Sequence, residues 1–118
     1  MPKPKSCSVC CVAMLTGRGF DDALKLCFAQ EPRDLSMSLE QIELVLNQAG
    51  LNTLRLDKVP STIQDNMSIE CRHKVKGFWH YIVYDADQKK FLDPIVNSPK
   101  IEDYEFTRAI KIKKNPQL

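Results

Sequence analysis

Three residues that are far apart in the sequence, Cys7, His80 and Asp93, have the side chains that covalent amide chemistry needs. A thiolate attacks the carbonyl carbon, an imidazole accepts and returns the proton, and a carboxylate holds the imidazole ring in place. The chain has two histidines, so few arrangements of this kind are open to it. These residues predict a triad with Cys7 as nucleophile, His80 as general base and acid, and Asp93 as the orienting residue.

Cys7 is the cysteine best placed to act as the nucleophile. Residues 6–15 have the composition of a helix that Ser6 would cap, and Cys7 then lies in its first turn. Unpaired backbone N–H groups and the helix dipole stabilise a thiolate there. Cys10 and Cys11 come one turn later, where the helix uses its own N–H donors, so we expect them to be core thiols.

His80 is the stronger candidate for the base. The aromatic and β-branched residues at 78–84 predict a strand, and its alternation puts His80 on the same face as Ile82, against a core or a cleft. His73 has a basic residue on either side, and we expect it to face solvent. Asp93 follows a polar turn and a short strand, which can pair back beside His80.

The elements that would position these residues are helices in the first half of the chain and strands in the second. A capping box at Ser38 and Gln41 marks the clearest helix, and Gly17 and Gly50 are typical helix-ending residues. Helices followed by antiparallel strands predict an α+β fold. The predicted helices cover 6–15, 20–30 and 38–50 with a short helical turn at 61–66, and the predicted strands cover 69–75, 78–84, 90–92 and 106–113.

Three short segments of the chain resemble a known family. Cys7–Leu15 (CSVCCVAML) is similar to the catalytic helix of the papain-like peptidases that remove double-glycine leader peptides from bacteriocin precursors. Trp79–Tyr84 (WHYIVY) and Phe91–Pro94 (FLDP) resemble that family's histidine strand and the Asp-Pro after its hairpin. The resemblance implies a papain-like fold, with N-terminal helices packed on a C-terminal antiparallel sheet, and a cysteine peptidase that acts on a peptide or protein substrate.

Two features depart from the pattern of that family. Its members carry a glutamine six positions before the cysteine as an oxyanion-hole donor, and Met1 occupies that position here. Loss of one such donor costs about 10²- to 10³-fold in rate. Ser6 and Ser8 replace the aspartate and glycine that usually flank the cysteine. The remaining candidate donors are the backbone N–H of Cys7 and the side chains of Ser6, Gln30 and Gln41.

The same residues leave other functions open. A glutamine deamidase or a transglutaminase would use the same triad on another amide, and a non-catalytic module would keep the cleft to bind an extended peptide. A metal site is a further alternative because Cys7-x-x-Cys10 and Cys71-x-His73 offer soft ligands. That signal is weak, since Cys7 and Cys10 share one predicted helix and the second pair lacks the spacing of a zinc knuckle. We therefore expect no metal and no cofactor.

Composition sets the wider limits. The 118 residues fit a single domain that spans 1–118. A formal net charge of +2 gives no indication of a nucleic-acid partner. No apolar run approaches the roughly 20 residues that span a bilayer, so no membrane association is expected. Five cysteines, an odd number, favour reduced thiols in a cytoplasmic protein over a disulfide framework.

Overall fold

The computed structural model of the chain describes residues 7–30, 34–93 and 101–113. In these ranges three helices come first and an antiparallel sheet of five strands follows, in the spatial order β1-β5-β2-β3-β4. The predicted α+β class is therefore confirmed. The elements are α1 (Cys7–Thr16), α2 (Phe20–Cys27), α3 (Leu39–Gln48), β1 (Thr53–Leu56), β2 (Met67–His73), β3 (Trp79–Asp85), β4 (Lys90–Leu92), a 3-10 turn (Ile101–Asp103) and β5 (Tyr104–Ile112).

The helix α3 begins at the predicted capping box. The backbone N–H of Gln41 donates to the Ser38 hydroxyl at 3.2 Å, and the backbone N–H of Ser38 donates to the Gln41 side-chain oxygen at 2.7 Å. Two N–H groups at the helix start are thereby satisfied. At the other end Gly50 has φ +95°, a conformation that suits glycine and ends the helix as predicted.

The helix α1 is buried on most of its surface. Five consecutive residues, from Ser8 to Val12, are buried, because α1 packs against β3, α2 and α3 together. A helix that is apolar nearly all round is expected in such an interior position. Within the described residues, none of the helices combines the length and the apolar character that crossing a membrane requires.

Two apolar clusters form the core, and they lie on opposite faces of the sheet. Neighbouring residues of β5, Ala109 and Ile110, belong to different clusters, and successive residues of a strand point to opposite faces. The first cluster joins all three helices to Ile110. The second contains strand residues only, namely Met67, Ile69, Cys71, Ile82 and Ala109.

A charged network ties α3 to the sheet. The carboxylate of Glu70 on β2 is buried and accepts hydrogen bonds from Nε and Nη2 of Arg108 at 3.1 and 3.0 Å and from the Thr107 hydroxyl at 2.7 Å. Arg108 also pairs with Glu40 at the start of α3. Burial alone would raise the pKa of Glu70, but the hydrogen bonds from Arg108 and Thr107 outweigh it and lower the pKa, so this carboxylate is charged at neutral pH.

The helix α2 is shorter than predicted. The pattern at 20–30 predicts a helix to residue 30, but α2 ends at Cys27, and Phe28 has an extended backbone with φ −137° and ψ 128°. The Phe28 side chain packs on the first apolar cluster. This packing is a tertiary contact, and a helical periodicity read from the sequence does not contain it.

The region before β2 also differs from the prediction. Residues 61–66 form bends and no helical turn, because this segment is held by its neighbours: the backbone N–H of Ile112 donates to the Asn66 carbonyl at 2.8 Å, and Ile63 packs on the second cluster. The alternating pattern at 106–113, the last predicted strand, predicts that this strand closes the sheet. It lies inside the sheet instead, between β1 and β2.

Replacing Ser38 by alanine should lower the free energy of unfolding by about 1 kcal/mol, because the Gln41 N–H loses its acceptor at the start of α3. The measurement is the midpoint of urea unfolding followed by circular dichroism. Ser61→Ala is the matched control, since Ser61 is exposed and lies outside any helix. Equal midpoints for the two variants would contradict the capping role.

Candidate active site

The strand β3 and its partner β4 bring His80 and Asp93 together. The register pairs Val83 with Leu92, so its continuation by one residue puts Asp93 across from Ile82. Ile82 and His80 are two residues apart and share a face of β3. Nε2 of His80 lies 2.9 Å from Oδ2 of Asp93, and the two side chains are only 8% and 1% exposed. The two side chains that the sequence analysis placed together are therefore in contact.

The N-terminus of α1 brings the Cys7 side chain to the same ring. Burial of His80 lowers its pKa, but the hydrogen bond with Asp93, then the hydrogen bond with Cys7, and the negative charges of both outweigh burial and raise the pKa to about 9. The ring is therefore protonated at neutral pH, and its positive charge lies beside the Cys7 side chain. Because Nε2 faces Asp93, Nδ1 is the nitrogen left to exchange a proton with the sulfur.

A groove of about 500 Å³ opens at this point. Its walls are mainly apolar and come from three parts of the chain: the start of α1, the segment before α3, and β3 with the residue preceding it. Phe78 and Trp79 are 44% and 59% exposed, so their aromatic side chains can contact a molecule that binds in the groove. The lining residues are Cys7, Ser8, Ser36, Met37, Phe78, Trp79, His80 and Tyr81.

The serine after Cys7 fixes one wall of the groove. The Ser8 hydroxyl is buried and donates to the Leu35 carbonyl at 3.2 Å. Leu35 and Met37 are buried while Ser36 between them is exposed, so the segment runs extended with alternate side chains in the core. Ser8 takes the place of the glycine expected from the family pattern, and it joins α1 to the segment that faces His80 across the groove.

The ring of His80 is also held by aromatic packing that the sequence did not predict. Tyr104, the first residue of β5, stacks on it with ring centroids 5.6 Å apart and an interplanar angle of 27°. The ring of Phe78 packs edge-on against the His80 ring, with the two centroids 6.5 Å apart. The strand was predicted to begin at Phe106, and no local pattern marks Tyr104 as a neighbour of His80.

His73 does not face solvent as predicted. Its ring is partly buried, stacks on Phe78 with centroids 5.0 Å apart, and accepts backbone N–H groups of Val75 and Lys76 at Nδ1, at 3.3 and 3.0 Å. These contacts shape the turn between β2 and β3. His73 is thus a structural residue of this hairpin, and His80 remains the candidate base.

The other cysteines differ from Cys7 in their surroundings. Cys10, Cys11 and Cys71 are buried, as expected for the first two, and Cys71 donates from its thiol to the His80 carbonyl at 3.4 Å. Burial raises the pKa of Cys27 to about 11. Among the described residues, no group of three or more histidine, cysteine, aspartate or glutamate side chains is arranged to hold a metal ion.

The candidate oxyanion donors lie in several parts of the chain. Met1 and Ser6 lie outside the described residues. Gln41 uses its side-chain oxygen in the capping box, and among the described residues that line the groove there is no glutamine. Cys7 is the first residue of α1, and N–H groups at a helix start have no acceptor within the helix. Its backbone N–H is the donor that the geometry supports best.

Comparison with known proteins finds no relative of the chain. The chain matches no family model, no curated protein and no solved structure. The resemblance carried by three short segments of the sequence therefore stays an interpretation, and the evidence for a function lies in the groove and its side chains.

Asp93→Asn should lower the pKa of the His80 ring from about 9 toward the ordinary histidine value, because the substitution removes the carboxylate that favours the charged ring. The measurement is an NMR titration of the ring carbon signals. Asp87→Asn, in the exposed turn between β3 and β4, is the matched control and should leave the titration unchanged. An identical shift in both variants, or none in either, would contradict the contact.

Cys7 should react with iodoacetamide before the other four cysteines at neutral and mildly acidic pH, because it is partly exposed in the groove beside His80. Three of the others are buried, and burial raises the pKa of Cys27. His80→Gln should slow this alkylation by about tenfold or more. Cys27→Ser is the control and should not change the rate at Cys7. The readout is peptide mass spectrometry over time, and even labelling of all five cysteines would count against the assignment.

Proposed function

We propose that the chain is a papain-like cysteine peptidase in which Cys7 is the nucleophile, His80 the general base and acid, and Asp93 the residue that orients the ring. The observation that carries this proposal is that one imidazole interacts with both the Asp93 carboxylate and the Cys7 side chain, at the end of an apolar groove. A histidine that only fills the core needs neither a carboxylate partner nor a partly exposed thiol beside it, and His80 has both.

The reaction follows from the charges of the resting pair. The Cys7 thiolate attacks the amide carbon, and the negative charge passes to the carbonyl oxygen, which the Cys7 backbone N–H can stabilise. The His80 imidazolium then gives its proton to the leaving amine as the carbon–nitrogen bond breaks. The acyl-thioester that remains is hydrolysed by water, from which neutral His80 removes a proton, and thiolate and imidazolium are restored.

Asp93 acts through the ring and does not meet the substrate. Its carboxylate fixes Nε2 of His80, so that Nδ1 stays aligned with the sulfur through both halves of the reaction. Tyr104 and Phe78 restrict the ring on its remaining sides. The site thus has a base whose orientation is set by three independent contacts.

The shape of the groove suits an extended polypeptide. One wall is the extended segment at Leu35–Met37, tied to α1 through Ser8, and the other is the aromatic pair Phe78 and Trp79. An extended chain offers alternate side chains to such walls and its carbonyl to the nucleophile between them. We therefore expect a peptide or protein substrate with an apolar side chain next to the bond that is cut.

The assay is incubation with a mixed library of unstructured peptides that contain glutamine, followed by mass spectrometry. Two shorter products indicate a peptidase, release of ammonia from glutamine indicates a deamidase, and peptide–amine adducts indicate a transglutaminase. We expect cleavage by the unmodified chain, none by Cys7→Ala, and a rate about 10²- to 10⁴-fold lower for His80→Gln, because proton transfer is lost.

Cys27→Ser is the matched control for the assay, because Cys27 is a partly buried thiol on α2 outside the groove, and it should cleave at the normal rate. Thermal unfolding shows which variants are folded. If the folded chain changes no peptide while folded Cys7→Ala and the unmodified chain bind the same peptides, the enzyme proposal is wrong and the groove is a binding site.

A further inference from the structure

Cys10 lies three residues after Cys7 on α1 and has no part in the proposed hydrolysis. All five cysteines are reduced thiols in the structure. Residues three apart on a helix have Cβ atoms about 5–6 Å apart, and a disulfide needs about 3.5–4.5 Å. These two Cβ–Cβ distances differ by about one to two ångströms. The two cysteines lie in the first turn of the helix, where the backbone N–H groups make no hydrogen bonds within the helix. A disulfide between the two sulfur atoms would therefore need a local adjustment of that turn.

We propose that Cys7 and Cys10 form a reversible disulfide when a hydroperoxide oxidises Cys7. The pair is a modification site of its own and does not depend on whether the groove hydrolyses amides. Cys7 is partly exposed and lines the groove, so a small peroxide reaches its sulfur. Cys10 is buried, with 9% exposure, and it needs no access to solvent because its attack is intramolecular.

The oxidation takes two balanced steps. The Cys7 thiolate attacks one oxygen of the peroxide, a sulfur–oxygen bond forms as the oxygen–oxygen bond breaks, and the departing oxygen takes the proton of the His80 imidazolium and leaves as water or an alcohol. The Cys10 thiol then attacks the sulfur of the Cys7 sulfenic acid, and water leaves as the disulfide forms. A dithiol reverses the change by exchange and is itself oxidised.

Two other thiols are near Cys7, but neither is suited to this role. Cys11 is fully buried, and burial, followed by the charges of Cys7 and Cys10, raises its pKa far above the usual value. Cys71 lies on β2 and not on α1, and burial, followed by the charge of Asp93, raises its pKa to about 12. A thiol that rarely ionises attacks slowly.

The consequence would be protection of the nucleophile. A sulfenic acid at Cys7 that meets no second thiol goes on to sulfinic and sulfonic acids, which are not reduced by dithiols. The disulfide stops this sequence after the first step. It also removes the thiolate, so any thiol-dependent activity of the groove is switched off until a reductant returns.

The test is treatment of the folded chain with hydrogen peroxide, then unfolding in denaturant with iodoacetamide present so that buried thiols are labelled, then trypsin and tandem mass spectrometry. Trypsin releases residues 6–18 as one peptide with Cys7, Cys10 and Cys11. We expect this peptide to be two hydrogens lighter and labelled only on Cys11, and to accept three labels after dithiothreitol. In Cys10→Ser, the Cys7 thiol that dithiothreitol recovers should fall about tenfold or more.

Cys11→Ser is the matched control and should recover Cys7 as well as the unmodified chain does. A disulfide from Cys7 to Cys11 or Cys71, or equal recovery of Cys7 in Cys10→Ser and in the unmodified chain, would overturn the proposal. The readout is the chemical state of the cysteines and needs no turnover. A chain that cleaves no peptide but forms this disulfide would therefore reject the proposed function alone.

Discussion

The bond between the His80 ring and the Asp93 carboxylate is the interaction on which the rest of the site depends. A carboxylate that is 1% exposed is costly to bury unless it is hydrogen-bonded and paired with positive charge. The protonated His80 ring provides both the hydrogen bond and the positive charge, and its raised pKa of about 9 keeps it protonated at neutral pH. The contact requires the correct register of β3 and β4, which the turn between them sets through Asp85, whose carboxylate accepts the N–H groups of Asp87 and Gln88.

The position of α1 is the second requirement, because it decides whether a thiol meets that ring. The helix is buried against β3 and the other two helices, and Ser8 ties its start to Leu35. A helix start, a nearby imidazolium and an open groove surround Cys7, and a nucleophilic cysteine needs such a setting. The same setting makes Cys7 accessible to oxidants, so the proposed nucleophilic role and the proposed oxidation of this residue have one origin, and Cys10 lies one turn away on the same helix.

The elements that follow from local chemistry were predictable. Helix starts and ends depend on residues within a few positions, which is why the capping box of α3 and the glycines after α1 and α3 were identified correctly. The errors occur where distant segments decide the backbone. Phe28 leaves the helix to pack on the core, the segment 61–66 is held by β5, and β5 enters the interior of the sheet instead of closing it.

The sequence by itself determined the α+β class, and it indicated Cys7, His80 and Asp93 as residues that could act together. Both inferences depend on residue types and on periodicity over short stretches of the chain. Only the tertiary structure decided that one imidazole receives both partners, that Tyr104 stacks on it, and that Ser8 fixes the opposite wall of the groove. Those contacts join residues dozens of positions apart through strand register and helix packing. Such long-range pairing is a property of the whole fold, since each contact depends on where every other element packs.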